Sequence, residues 1–132
     1  MAFPRTVVGA LALLLAVALL WTVLPGTSRA GQDTRSNRGP IVFFLTPQGV
    51  KDGRFRVDVR VDTHSGDLSR LDLQSATVLR LGTREYPALT PVSLGGHHGT
   101  GTLWFGLGEA PRAFEIVIRG VGTQGALSFR WP

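Results

Sequence analysis

The residues best able to do chemistry in this 132-residue chain are its three histidines, and they fall in two short polar motifs. His64 stands in Asp62-Thr63-His64-Ser65-Gly66-Asp67, and His97 and His98 stand in Gly95-Gly96-His97-His98-Gly99. Neutral imidazole is a good ligand for Zn(II) and Cu(II). Three imidazoles from two neighbouring loops, completed by Asp62, Asp67 or water, therefore define a candidate metal site. The same residues also support plain turn chemistry. Gly-Gly-His-His-Gly can close a tight turn whose imidazoles hydrogen-bond to backbone groups, with Asp62 and Asp67 capping the Ser65-Gly66 turn.

Other chemistries find less support. Asp62, His64 and Ser65 are crowded too closely for a Ser-His-Asp triad, and no Gly-x-Ser-x-Gly occurs. The carboxylates alternate with arginine along strand-like stretches, which reads as a solvated face rather than a glycosidase pair. Gly120-Val121-Gly122 has no helix after it, so it is not a nucleotide-binding loop. The chain has no cysteine, which excludes disulfides, thiolate ligands, a blue-copper centre and a lipid anchor on cysteine. Met1 is the only methionine, so thioether copper ligation is absent as well. No catalytic residue is expected.

The elements that must position the histidines read as strands. Arg54 to Asp62 alternates Phe55, Val57, Val59 and Val61 with charged residues of both signs, the pattern of a half-buried antiparallel strand. Ile41 to Leu45 is a shorter β-rich run that meets a turn signal at Pro47-Gln48-Gly49. Leu68 to Gln74 suits a helical turn or an irregular crossing. Ala76 to Leu81 and Arg84 to Tyr86 form a hairpin about Gly82-Thr83, and Pro87 and Pro91 limit the next stretch to edge or loop. Thr100 to Phe105, Ala113 to Arg119 and Ala126 to Trp131 complete about seven strands. Trp104 opposes Leu103 and Phe105 and is expected at an edge, covered by the preceding linker. The expected fold is all-β, an immunoglobulin-like β-sandwich over 41–132, with a small barrel as the alternative. If the strand ending at Asp62 runs up, the next runs down and its hairpin partner up. Short antiparallel connections then bring both histidine motifs to one end.

Ahead of this domain, Val7 to Leu24 carries no charge and as a helix would span about 27 Å, close to bilayer thickness. Arg5 before it directs the remainder outward. Pro25-Gly26 ends the helix, and Ser28-Arg29-Ala30 offers small residues where a signal peptidase acts. The length of the apolar run argues for a retained single-span anchor over 1–30; the small-x-small site argues for secretion after cleavage at Ala30. Residues 31–40 are polar and read as a linker. The net charge is +5, from 14 basic and 9 acidic residues. Setting aside Arg5 and Arg29 leaves 12 basic residues against 9, spread over alternating strands, which is not a nucleic-acid footprint.

The series Asp62-Thr63-His64-Ser65, Gly95-Gly96-His97-His98, Ile118-Arg119-Gly120-Val121-Gly122 and Phe129-Arg130-Trp131 resembles an uncharacterised family of small exported or membrane-anchored bacterial β-domain proteins. The resemblance covers roughly Phe55 to Trp131. It implies that the two histidine motifs belong together and lends no activity. The expected function is a non-enzymatic envelope interaction module, anchored through residues 7–24, docking another envelope protein. The alternative is a zinc- or copper-binding envelope protein using His64, His97 and His98 with Asp62 or Asp67.

Overall fold

The computed structural model describes residues 33–121 and 125–132. The expected membrane helix and cleavage site lie outside the described residues. Among the described residues no helix is long and apolar enough to cross a membrane.

The described residues are mostly β, in two antiparallel sheets of four strands. The first sheet has β1 (Arg35–Ser36), β2 (Ile41–Lys51), β3 (Arg54–Thr63) and β6 (His98–Phe105), in the order β1-β2-β3-β6. The second has β4 (Thr77–Leu81), β5 (Arg84–Pro87), β7 (Phe114–Ile118) and β8 (Leu127–Trp131), in the order β5-β4-β7-β8. Between β3 and β4 the chain makes a 3-10 turn at Leu68–Arg70 and one helical turn, α1 (Leu73–Ala76).

Period-two patterning decides which face of each strand is buried. Phe55, Val57, Val59 and Val61 of β3 are all buried, as are Leu103 and Phe105 of β6 and Phe114, Ile116 and Ile118 of β7. The apolar faces of both sheets share one core. At its lower end Phe114 stacks on Trp131 at 4.7 Å and meets Phe55 of the other sheet edge-on at 5.3 Å. Burial of each such side chain contributes about 1.5–3 kcal/mol, before the cost of ordering it.

Three stretches differ from their sequence expectations. β2 does not turn at Pro47-Gln48-Gly49 but continues to Lys51, with a register shift between Pro47 and Gly49. A bulge accommodates a proline that cannot donate to the ladder. The chain reverses instead at Asp52-Gly53, with φ of 52° and 72°, the left-handed pair that a two-residue hairpin loop requires. Residues 33–39, expected to be a linker, belong to the fold. Arg35 and Ser36 pair with Leu45 and Phe44. Asn37 Nδ2 donates to the Ile41 carbonyl, and its Oδ1 accepts from the Phe43 N–H. Arg35 Nε donates to the Arg130 carbonyl, and Trp131 Nε1 to the Asp33 carbonyl, so β1 bridges the edges of both sheets. Trp104 is not covered by these residues. It lies half-buried on the outer face of the first sheet under the guanidiniums of Arg54 and Arg56, 4.9 and 6.0 Å from its ring centre.

The molecule thus has two ends. The lower end carries the Asp52-Gly53 and Gly82-Thr83 turns, the 106–113 loop, Asp33 and Pro132. The upper end carries the turn before Ile41, the 64–72 segment and residues 95–97, where the crossing segment 88–97 ends after climbing along β6. That crossing begins where Ala88 N–H donates to Thr77 of the second sheet and Leu89 N–H to Trp104 of the first. It then lays Val92 and Leu94 over two glycines of β6. A Cβ at Gly101 would sit 2.4 Å from Val92 Cγ1, and one at Gly99 would sit 2.7 Å from Leu94 Cδ2. Val is stiff at χ1 and cannot swing aside freely. Gly101→Ala is therefore expected to cost about 1–3 kcal/mol in urea unfolding. Adding Val92→Ala should recover part of that loss; strict additivity in the double-mutant cycle would refute this packing account.

Candidate functional site

The upper end collects the sequence-predicted site residues. β3 and β6 are neighbours, and their register places Asp62 directly opposite His98 on the outer face. His98 Nδ1 lies 2.9 Å from Asp62 Oδ1, while Asp62 Oδ2 faces Arg60 Nε at 3.4 Å. The partner of Asp62 is thus His98, 36 residues away, rather than the adjacent turn. With Nδ1 committed to the carboxylate, Nε2 is the nitrogen left to face outward on a side chain that is 76% exposed.

The two motifs are joined through their backbones. Thr63 N–H donates to the His97 carbonyl at 2.9 Å, and Leu68 N–H to the Gly96 carbonyl at 3.0 Å. Gly96, with φ of +64°, supplies the left-handed turn that aims these carbonyls at the neighbouring segment. The Thr63 side chain, only 3% exposed, ties in a third segment. Its hydroxyl faces the Ser65 carbonyl at 2.6 Å and the Pro40 carbonyl at 3.2 Å, donating its one proton to either, and accepts from Ser65 N–H. His64 and His97 are exposed beside this junction.

Asp67 serves the backbone. Its Oδ1 accepts from Ser69 N–H at 2.9 Å, capping the 3-10 turn rather than the Ser65-Gly66 turn. Ser69 holds the Asp67 carboxyl below its ordinary value, with smaller contributions from the Gly96 N–H and Arg70. Of the five candidate ligands, Asp62 and His98 come into contact. His64, His97 and Asp67 share the same end without closing on that pair. Among the described residues no group of three or more His, Asp or Glu side chains is gathered to hold a metal ion.

Sequence reasoning missed Thr63 as the junction. The signal was present: Thr63 continues the inward series Phe55, Val57, Val59, Val61, and a polar residue at a core-facing position needs hydrogen-bond partners. The Asn37 clamp and the glycine seats for Val92 and Leu94 carried no comparable sequence signal.

Fold and site together define an all-β protein whose two histidine-bearing segments form one exposed end. No family model matches the chain, and comparison with curated proteins and with solved structures finds no match.

A carboxyl whose folded pKa is depressed adds stability above its unfolded value and loses it as pH falls through the folded value. For Asp67 the loss begins near the ordinary value of 3.8 and proceeds below it. Asp72, Glu85 and Glu115 are lowered too, so acid destabilises through several groups. Asp67→Asn is therefore expected to narrow the gap between urea midpoints measured at about pH 6 and about pH 3. An unchanged gap would mean that Asp67 contributes nothing to the acid limb.

Proposed function

We propose that this chain is a non-enzymatic envelope protein: an immunoglobulin-like β-sandwich held at the membrane by residues 7–24 and presenting its upper end to a protein partner. The strand order supports the fold reading. Three long strands, β2-β3-β6, face a four-stranded sheet, β5-β4-β7-β8, so the chain passes repeatedly from one sheet to the other in the manner of immunoglobulin-like domains. The observation that carries the functional reading is the polarity of the molecule. The chain enters at the lower end, where Asp33 is held by Trp131. The exposed histidine segments, stitched together by Thr63 and Leu68, lie at the opposite end. A domain tethered at one end presents the other to the surroundings, and a rigidly connected loop surface there suits recognition.

A photo-crosslinking residue at position 97, in the full chain in intact cells, should yield a discrete adduct with an envelope protein, and the same residue at position 130 should not. Uniform or absent crosslinking at position 97 would remove the case for a docking end.

A second reading, zinc or copper binding, draws support from one contact. A histidine whose Nδ1 is fixed by a carboxylate has the arrangement found behind many metal-ligating imidazoles. His98 Nε2 would be the first ligand, with His64 and His97 as neighbours on the same end. Addition of Zn(II) or Cu(II) at about 100 times Kd should then stabilise the protein by about 2.7 kcal/mol, seen as a raised Tm. The His64→Ala/His97→Ala/His98→Ala variant should show no such rise. A wild-type Tm indifferent to both metals would leave the histidines as turn and surface residues.

A further inference from the structure

We propose that the lower end of the domain rests on anionic lipid headgroups, so that the molecule stands on the membrane as well as being tethered to it. The inference deepens the anchored reading above and draws on how the cations are distributed. Along the middle of the molecule the arginines are neutralised in place. Arg56 and Arg60 pair with Asp58 and Asp62; Arg80, Arg119 and Arg130 share Glu85 and Glu115. At the upper end Arg38 and Arg70 form no ion pair among the described residues, but Asp67 and Asp72 share that end; at the lower end cations are in excess. Lys51 and Arg54 flank the β2–β3 turn, Arg84 follows the β4–β5 turn, and Arg112 lies in the 106–113 loop. None of these four forms an ion pair among the described residues. Arg54 and Arg84 instead lie over the rings of Trp104 and Tyr86, at 4.9 and 5.4 Å. The acidic residues sharing this end are Asp52 and Glu109, and Asp33, which Arg35 holds at 2.7 Å. The balance is cationic.

Two further features favour a bilayer over a soluble polyanion. Val50, 38% exposed, projects at the hairpin tip beside Lys51. An apolar cleft of about 260 Å³, with Pro47, Phe55, Pro111, Phe114 and Trp131 in its walls, opens at the same end. Cations around exposed apolar surface match the headgroup region, where charge meets hydrocarbon. Reach closes the argument. Residues 25–32 separate the apolar run from Asp33, and fully extended they reach about 28 Å at most. The lower end is thereby confined near the surface at high effective concentration, and weak contacts suffice.

The absence of native cysteine makes single-site labelling direct. The full chain, carrying Val50→Cys or His97→Cys with an environment-sensitive fluorophore, is reconstituted into phosphatidylcholine vesicles with or without phosphatidylglycerol. A neutral quencher, acrylamide, reads exposure. The label at position 50 should become shielded only in phosphatidylglycerol vesicles, and the label at position 97 should stay exposed in both. Lys51→Gln/Arg84→Gln/Arg112→Gln, with unchanged Tm, should return position 50 to its phosphatidylcholine value, each lost cation weakening surface association about fivefold. Equal quenching of position 50 in the two vesicle types, or shielding that survives in the triple variant, overturns the proposal. Flotation tests the anchor separately. A chain that fails to float with phosphatidylcholine vesicles contradicts anchoring; flotation with phosphatidylglycerol vesicles alone then upholds the headgroup contact by itself, and flotation with neither overturns both.

Discussion

The alternation of β3 constrains nearly everything else in the molecule. It is flanked by β2 and β6, and its inward residues Phe55, Val57, Val59 and Val61 sit in the shared core. A slip of one residue would carry the whole apolar set to solvent and the charged set inward, a change no local adjustment could offset. Once Val61 points inward, Asp62 must point outward and Thr63 inward. The outward position gives Asp62 its contact with His98 across the ladder. The inward one buries the Thr63 hydroxyl, where it must find partners, and those partners bind the upper loops together. The site geometry is thus a consequence of core packing, set by strand register rather than by flexible loops closing on one another.

A domain of this size without disulfides depends on such agreement among its parts. The β6 glycines illustrate how. Gly99 and Gly101 lie on the same face as Leu103 and Phe105, yet they have no side chains to fill the core. Val92 and Leu94 from the crossing segment occupy that space. Packing density is kept by borrowing volume from a neighbouring segment. The same device fixes the path of the crossing, and with it the placement of Gly96 and His97 against Thr63 and Leu68.

The all-β character and the core faces were legible because period-two patterning is local: β3, β7 and β8 each state their buried side within five to ten residues. The meeting of the two histidine motifs was legible too, since it requires only short antiparallel connections. What the sequence concealed depends on contacts between distant residues. β1 is two residues long and polar, and it becomes a strand only because Asn37 and Trp131 hold its flanks. Pro47 reads as a turn because proline punctuates, but a bulge absorbs it and Asp52-Gly53 makes the reversal. Trp104 finds its cover in arginines of the adjacent strand, a pairing that register alone reveals. The pairing of Asp62 with His98, instead of with the Ser65-Gly66 turn, has the same origin.

The bond from Trp131 Nε1 to the Asp33 carbonyl, 98 residues apart in sequence, has a mechanical meaning. A pull directed along β1 loads its pairing with the neighbouring β2 lengthwise. The Arg35–Leu45 and Ser36–Phe44 pairings, the Thr34–Thr46 hydroxyl contact and the Arg35 bond to Arg130 then share the load together, as bonds in shear do, instead of parting one at a time as in a zipper. Trp131, wedged against Phe114, passes that load directly into the second sheet. Tension on the chain at this point is therefore spread across both sheets before any single strand can peel away.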